Sequence, residues 1–170
     1  MTITTQMVPV DGELPTMSFR WDSKTEILAG KMTLQSGSSP DSRTMELGGS
    51  RGSYLSLDLI DDVIAGLEVV VWPEGDVVDR LQAPTVDERG MLKVTDGGSG
   101  NDPSVVELGR PLSCLRTADE STVYLRLSGA KSQMVIAVAD NLLAEIGSGG
   151  QLAGLWLLNV PPFPGTKETG

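Results

Sequence analysis

Two pairs of acidic side chains pose the first chemical question. Asp22 and Asp119 occupy corresponding places in two similar stretches of the chain, and so do Asp58 and Glu145. Carboxylates brought together by pseudo-symmetry could act as acid and base or hold a divalent cation. The alternative is local. An acidic residue ahead of a strand caps a turn by accepting backbone N–H bonds, and one that alternates within an amphipathic strand faces water. The missing residue types narrow the field further. The chain has no histidine, which excludes imidazole-activated nucleophiles and the common His-bearing zinc sites. Cys114 is the only cysteine, so neither an intrachain disulfide nor a four-thiolate metal site can form. It follows no motif that would lower a thiol pKa, and packing is its expected role.

Other candidates are equally spare. Gly97-Gly98-Ser99-Gly100-Asn101-Asp102 has the glycine-aspartate spacing that opens a calcium-binding β-roll repeat, but such sites share each ion between successive turns, and a single copy reads as a loop. Trp21, Trp72 and Trp156 could floor a ligand site, although large rings flanking sheets are expected in a core or interface. Arg126, between Leu125 and Leu127, should point to the polar face of a strand and pair across it. No phosphate loop, dinucleotide fingerprint or nucleophile elbow is present. No cofactor, metal or catalytic residue is therefore expected.

Charge and hydropathy limit the partners. The 170 residues carry 23 acidic and 13 basic groups, a formal net charge of −10. That field repels phosphate backbones, and no cluster of lysine or arginine interleaved with aromatics offsets it, so nucleic acid is not an expected ligand. The longest unbroken apolar run is Met134 to Ala139, far short of the roughly 18 residues that argue for a membrane span. The first fifteen residues show no basic stretch followed by an apolar one, so a cytoplasmic protein is expected.

The elements that position these residues repeat. Ile64-Ala65-Gly66-Leu67-Glu68-Val69-Val70-Val71-Trp72-Pro73 lies 88 residues before Leu152-Ala153-Gly154-Leu155-Trp156-Leu157-Leu158-Asn159-Val160-Pro161. Upstream, Tyr54 to Leu59 matches Asn141 to Ile146 at an offset of 87, and Asp22 to Leu28 matches Asp119 to Leu125 at an offset of 97. The one-residue difference between the first two offsets implies an insertion in a turn. Gly147-Ser148-Gly149-Gly150 marks that turn in the second copy, and Asp61-Asp62 marks it in the first. Thr122 to Leu127 alternates like a half-buried strand. Residues 133–146 and 57–67 fit a helix period as well, but a single insertion disturbs a hairpin turn less than a helix, where it rotates one face by about 100°.

Asp119 to Val160 resembles a small prokaryotic family of uncharacterised β-rich domains, whose pattern is an acidic turn, L-Y-I-R-L, a V-x-V strand, a turn and G-I-E-I-L. Val123-Tyr124-Leu125-Arg126-Leu127 and Gly154-Leu155-Trp156-Leu157-Leu158 carry the likeness here. Residues 22–73 look like a more diverged copy. The family's usual glutamate is Glu68 in the first copy and Trp156 in the second. The resemblance implies a β-rich fold and no reaction.

The expected architecture is mainly β with little helix: an N-terminal extension (1–18), a first antiparallel β unit (19–73), a β/loop insert (74–114) with strands near 76–81 and 91–95, a second unit (115–162) sharing the same core, and a C-terminal tail (163–170). The expected function is a non-catalytic protein-interaction or scaffold domain. A small-ligand binding module and then a carboxylate-dependent enzyme are the alternatives. Leu152 to Phe163 is apolar on both alternating faces, so Leu155, Trp156 and Leu157 need a cover on the side away from the core. A second copy of the chain is expected to supply it, as a two-fold dimer with Leu155, Trp156 and Leu157 at the interface, and cover by the 74–114 insert is the alternative.

Overall fold

Period-two alternation decides the local structure. Along residues 54–60, Leu55, Leu57 and Leu59 are buried, while Tyr54, Asp58 and Ile60 are only partly so. That is the signature of a strand with one face on a core. The computed structural model describes residues 3–10, 12–33, 41–96 and 104–164. Among them are fourteen strands: β1 (Thr4–Pro9), β2 (Ser18–Trp21), β3 (Leu28–Lys31), β4 (Ser42–Gly48), β5 (Tyr54–Ile60), β6 (Val63–Val71), β7 (Gly75–Val78), β8 (Glu88–Asp96), β9 (Ser104–Glu107), β10 (Ser113–Thr117), β11 (Thr122–Arg126), β12 (Met134–Ala139), β13 (Leu142–Ile146) and β14 (Leu152–Leu158). One short 3₁₀ turn, Ser148–Gly150, precedes β14. The stretches with a competing helical period are strands: 133–146 is the β12–β13 hairpin, and 57–67 falls in β5 and β6. Among the described residues no helix is long and apolar enough to cross a membrane.

The strands form one curled sheet. Within it β2-β3-β6-β5-β4 and β10-β11-β14-β13-β12 follow the same order, and every neighbouring pair in both groups is antiparallel. The registers also agree. Asp58 faces Gly66 and Glu145 faces Gly154; one step further the pairing slips at the same place, leaving Ala65 and Ala153 as the extra residue of a β-bulge. The carbonyls of Ala65 and Ala153 accept the N–H groups of Met32 and Leu127, each at 2.8 Å. Ala65-Gly66-Leu67 and Ala153-Gly154-Leu155 thus sit in the same kind of element.

One detail of the expected correspondence shifts. Leu28 lies opposite Val69 and Val123 opposite Leu157, so the first blocks correspond in space at an offset of 95 rather than 97. The cause is turn length. Aligning Asp22 with Asp119 assumes equal turns, but β2 and β3 are joined by residues 22–27, whereas β10 and β11 are joined by the shorter 118–121.

The insert and the N-terminal segment are built into the sheet. β8 bridges the two groups, pairing Glu88 and Arg89 in parallel with β12 and Lys93 with Val63 at the start of β6. β1 runs antiparallel along β8, so residues 4–9 are a sheet strand. β7 and β9 lie parallel against β10 and β4. The inner faces of both groups enclose one core that includes Leu57, Leu67, Val69, Leu125, Leu155 and Leu157.

A second apolar cluster lies on the outer side of the β14 group. Val135, Ala137, Leu143 and Trp156 are buried there, with Leu14, Leu81, Ala83, Tyr124 and Leu158 packed against them. This explains the continuous apolar run of β14, which is covered on both faces. Leu155, Trp156 and Leu157 are all buried inside the chain, at 1, 7 and 0% exposure. The cover that the sequence demanded comes from Leu14 in the N-terminal segment and from Leu81 and Ala83 in the insert.

Candidate functional site

The two acidic pairs of the sequence are not brought together. Asp22 and Asp119 each cap their own turn. Asp22 Oδ1 accepts the N–H groups of Lys24 (2.9 Å) and Thr25 (3.3 Å), which holds its carboxyl below the usual range. Asp119 Oδ1 accepts the Thr117 hydroxyl at 2.6 Å and the Ser121 hydroxyl and N–H at 2.8 and 3.1 Å. Those bonds take its pKa down to about 2. Asp58 and Glu145 stand at matching positions of β5 and β13, but on the outer faces of different halves.

Their surroundings differ in an informative way. Glu145 is clamped: Tyr124 Oη donates to its Oε1 at 2.6 Å and Trp156 Nε1 to its Oε2 at 3.0 Å. The two rings stack at 4.6 Å between centroids. Gly154 makes room for them, since a Cβ there would lie 2.8 Å from Tyr124 Cε1. Burial and the bond to Glu145 push the Tyr124 hydroxyl pKa well above its ordinary value. Both carboxylate oxygens are already engaged, and this corner is a structural lock.

Asp58 has no such enclosure. The Thr44 hydroxyl donates to its Oδ1 over a long 3.5 Å. The position matching Trp156 holds Glu68, and the register puts Lys31 opposite Gly66 where Arg126 stands opposite Gly154. An open polar face results. One hollow of about 400 Å³ is lined by Lys31, Ser42, Thr44, Asp58, Ile60 and Glu68 among others. A second, of about 640 Å³, is lined by Arg20, Trp21, Asp22, Lys24, Ala29 and Glu68 among others. Glu68 is common to both. Cations and carboxylates alternate across this surface, which suits recognition of a polar partner.

The remaining candidates are quiet. Cys114 is buried, and desolvation raises its thiol to about 11, so it is protonated and unreactive at neutral pH. Arg126 is exposed and donates from Nε to Ser128 O at 3.2 Å. Among the described residues no three Cys, Asp or Glu side chains gather as a metal set. The Gly97–Asp102 motif lies outside the described residues. Trp21, which lines the second hollow, stacks on Trp72 at 5.6 Å. No protein family matches the chain, and no curated protein matches it.

The sequence reading passed over Arg20 and Lys31. The signal that could have found them is the exchange of Glu68 for Trp156 at matching positions: one outer face is built to be covered, the other to stay wet.

Proposed function

We propose that this chain is a non-catalytic protein-interaction domain, and that an extended polypeptide of a partner protein lies across the outer face of β3, β6, β5 and β4. One observation carries the reading. The same strand order occurs twice, and the outer face of the second group is covered by extended segments of the chain itself, while the first group leaves the matching face open with Arg20, Lys31, Asp58 and Glu68 on it. Segments of this kind bind by main-chain shape and by charges in matching register. The two groups are read here as copies of one unit of the prokaryotic β-rich type, diverged so that one copy keeps its face free. A single, buried thiol suits a reducing compartment, which supports a cytoplasmic location.

Panning a random peptide library on the wild-type chain and on a Lys31→Glu/Glu68→Lys variant tests the reading. Both residues lie on the outer face, so the variant should keep the wild-type melting temperature. Peptides of mixed charge enriched on the wild type and lost on the variant are expected. Enrichment of nothing, or equal enrichment on both chains, overturns it.

A further inference from the structure

The chain leaves β14 through Asn159, whose φ of +56° turns it sharply, and is pinned there by the Val160 N–H to the Ser121 carbonyl at 3.0 Å. The next residues are Pro161-Pro162-Phe163-Pro164. Proline fixes φ near −65° and pushes the residue before it out of the α region, so residues 161–163 are held extended at little entropic cost before Pro164 enters a 3₁₀ turn. It lies against a tryptophan platform. Trp21 Nε1 donates to the Pro161 carbonyl at 2.7 Å, and Phe163 meets Trp21 edge to face at 5.2 Å.

The platform extends beyond that contact. Trp72 stacks on Trp21 at an interplanar angle of 23°, and the Arg116 guanidinium carbon lies 5.5 Å from the Trp72 ring centroid. The three indole N–H groups of the chain are used differently. Trp156 spends its own on Glu145, beside it on the neighbouring strand, and Trp72 spends its own on the Glu26 carbonyl at 2.9 Å. Trp21 alone donates to the C-terminal segment, 140 positions away. An aromatic surface with one indole N–H aimed at a carbonyl next to proline is the chemistry by which grooves read proline-rich peptides.

We infer that the Trp21–Trp72 platform is a binding site for extended proline-rich segments, with residues 161–164 as its tethered occupant. This goes beyond the proposed use of the outer face and stands independently of it. A tethered segment competes at an effective concentration that can reach the millimolar range, so a free peptide gains access only as the tail comes off. Apparent affinity for a free peptide falls in proportion to the fraction of platform left open. A tail-loosening substitution that raises this fraction from about one tenth to nearly all therefore tightens binding about tenfold.

The probe is a fluorescent peptide of sequence Asn159–Pro164, followed by anisotropy against the full-length chain. Phe163→Ala should bind it about tenfold more tightly than the wild type does. Pro162→Gly, at an exposed position, should do the same and serves where the first variant does not fold. Adding Trp21→Phe, which keeps a ring and removes the N–H donor, should abolish the gain while the melting temperature shows the chain still folded. A peptide with alanine in place of its prolines should not bind. No gain in either folded tail variant, or a gain indifferent to Trp21→Phe, overturns the inference.

Discussion

The segment that covers Trp156 is held by one buried side chain, and removing it has a calculable effect. Asn141 is 6% exposed and Met17 2%. Asn141 Oδ1 accepts the Met17 N–H at 2.8 Å, and Asn141 Nδ2 donates to the Met17 carbonyl, also at 2.8 Å. The amide thus stands in for a paired strand at a point where Met17 has no backbone partner on that side. Two flanking bonds continue the seam, Thr16 Oγ1 to Asp140 Oδ2 at 2.7 Å and the Asp140 N–H to the Pro15 carbonyl at 3.0 Å. Asn141→Ala strands a buried donor and a buried acceptor, each costing about 1–3 kcal/mol. A loss of about 2–4 kcal/mol follows, which for a chain of this size lowers the melting temperature by about 5–15 °C. Urea denaturation should show the lower midpoint with an unchanged slope. Asn141→Asp sharpens the test, because its carboxylate keeps the acceptor but turns a second oxygen on the Met17 carbonyl. The protonated acid can donate there. Its folded-state pKa is therefore raised, and the variant should recover towards the wild type as pH falls below about 4, losing that stability again as pH rises. A loss under about 0.5 kcal/mol for Asn141→Ala, or a pH-independent gap for Asn141→Asp, refutes the assigned role of this amide.

Three further outcomes follow from particular contacts. Gly154→Ala should cost about 1–3 kcal/mol and reduce the near-ultraviolet dichroism of the Tyr124–Trp156 pair, because the new Cβ would lie 2.8 Å from Tyr124 Cε1 and 3.1 Å from the Leu125 carbonyl; an unchanged spectrum contradicts this. Burial holds the Cys114 thiol at about 11 against an ordinary 9.0, so the folded chain keeps its proton more tightly. Stability that is intact below pH 9 should then fall by about 2–3 kcal/mol as pH approaches 11. Denaturation of wild type and Cys114→Ala across that window checks it, and parallel curves would rule it out. The Asp119 carboxylate, depressed to about 2 by its turn bonds, contributes stability above pH 4 that is lost as pH falls towards 2. Asp119→Asn should remove that share of the acid transition, seen as a shallower stability-against-pH curve in acid titration followed by circular dichroism.

Much of the β architecture was legible because it is set by local rules. Alternation placed β11, the repeated blocks and their one-residue insertion placed β5 and β14, the glycine and aspartate clusters placed hairpin turns, and Asp61 and Asp62 adopt φ values of +51° and +66°, as a two-residue hairpin turn requires. The offset of the first blocks was misplaced by two because Asp22 and Asp119 cap turns of unequal length, and capping chemistry does not report turn length. The roles of β1 and β8 were not legible at all. Their pairing is a contact between residues about ninety positions apart, and nothing in either segment's own periodicity names its partner.

The outer faces show the same division between local and distant information. Trp156 announced that its face needed a cover, since an indole with apolar neighbours on a strand cannot be left in water without loss. It could not announce the source. A second copy of the chain and the chain's own segments bury the same rings with the same free energy per unit area, and only chain geometry separates them. Here Leu14, Leu81 and Ala83 reach the cluster, and the Asn141 amide fixes one of the two covering segments in place. Access to this strip is therefore conditional. While the seam at Met17 holds, Leu143, Trp156 and Val135 are closed to a second molecule; once it opens, an apolar strip on β12, β13 and β14 is exposed to any copy of itself. Light scattering at micromolar concentration should therefore show the Asn141→Ala chain associating more strongly than the wild type, and Trp156→Gln added to it should suppress that association. An Asn141→Ala chain no more associated than the wild type would mean that the cover stays down without its clamp, and that the packing of Leu14 and Leu81 on Trp156 is sufficient to hold it.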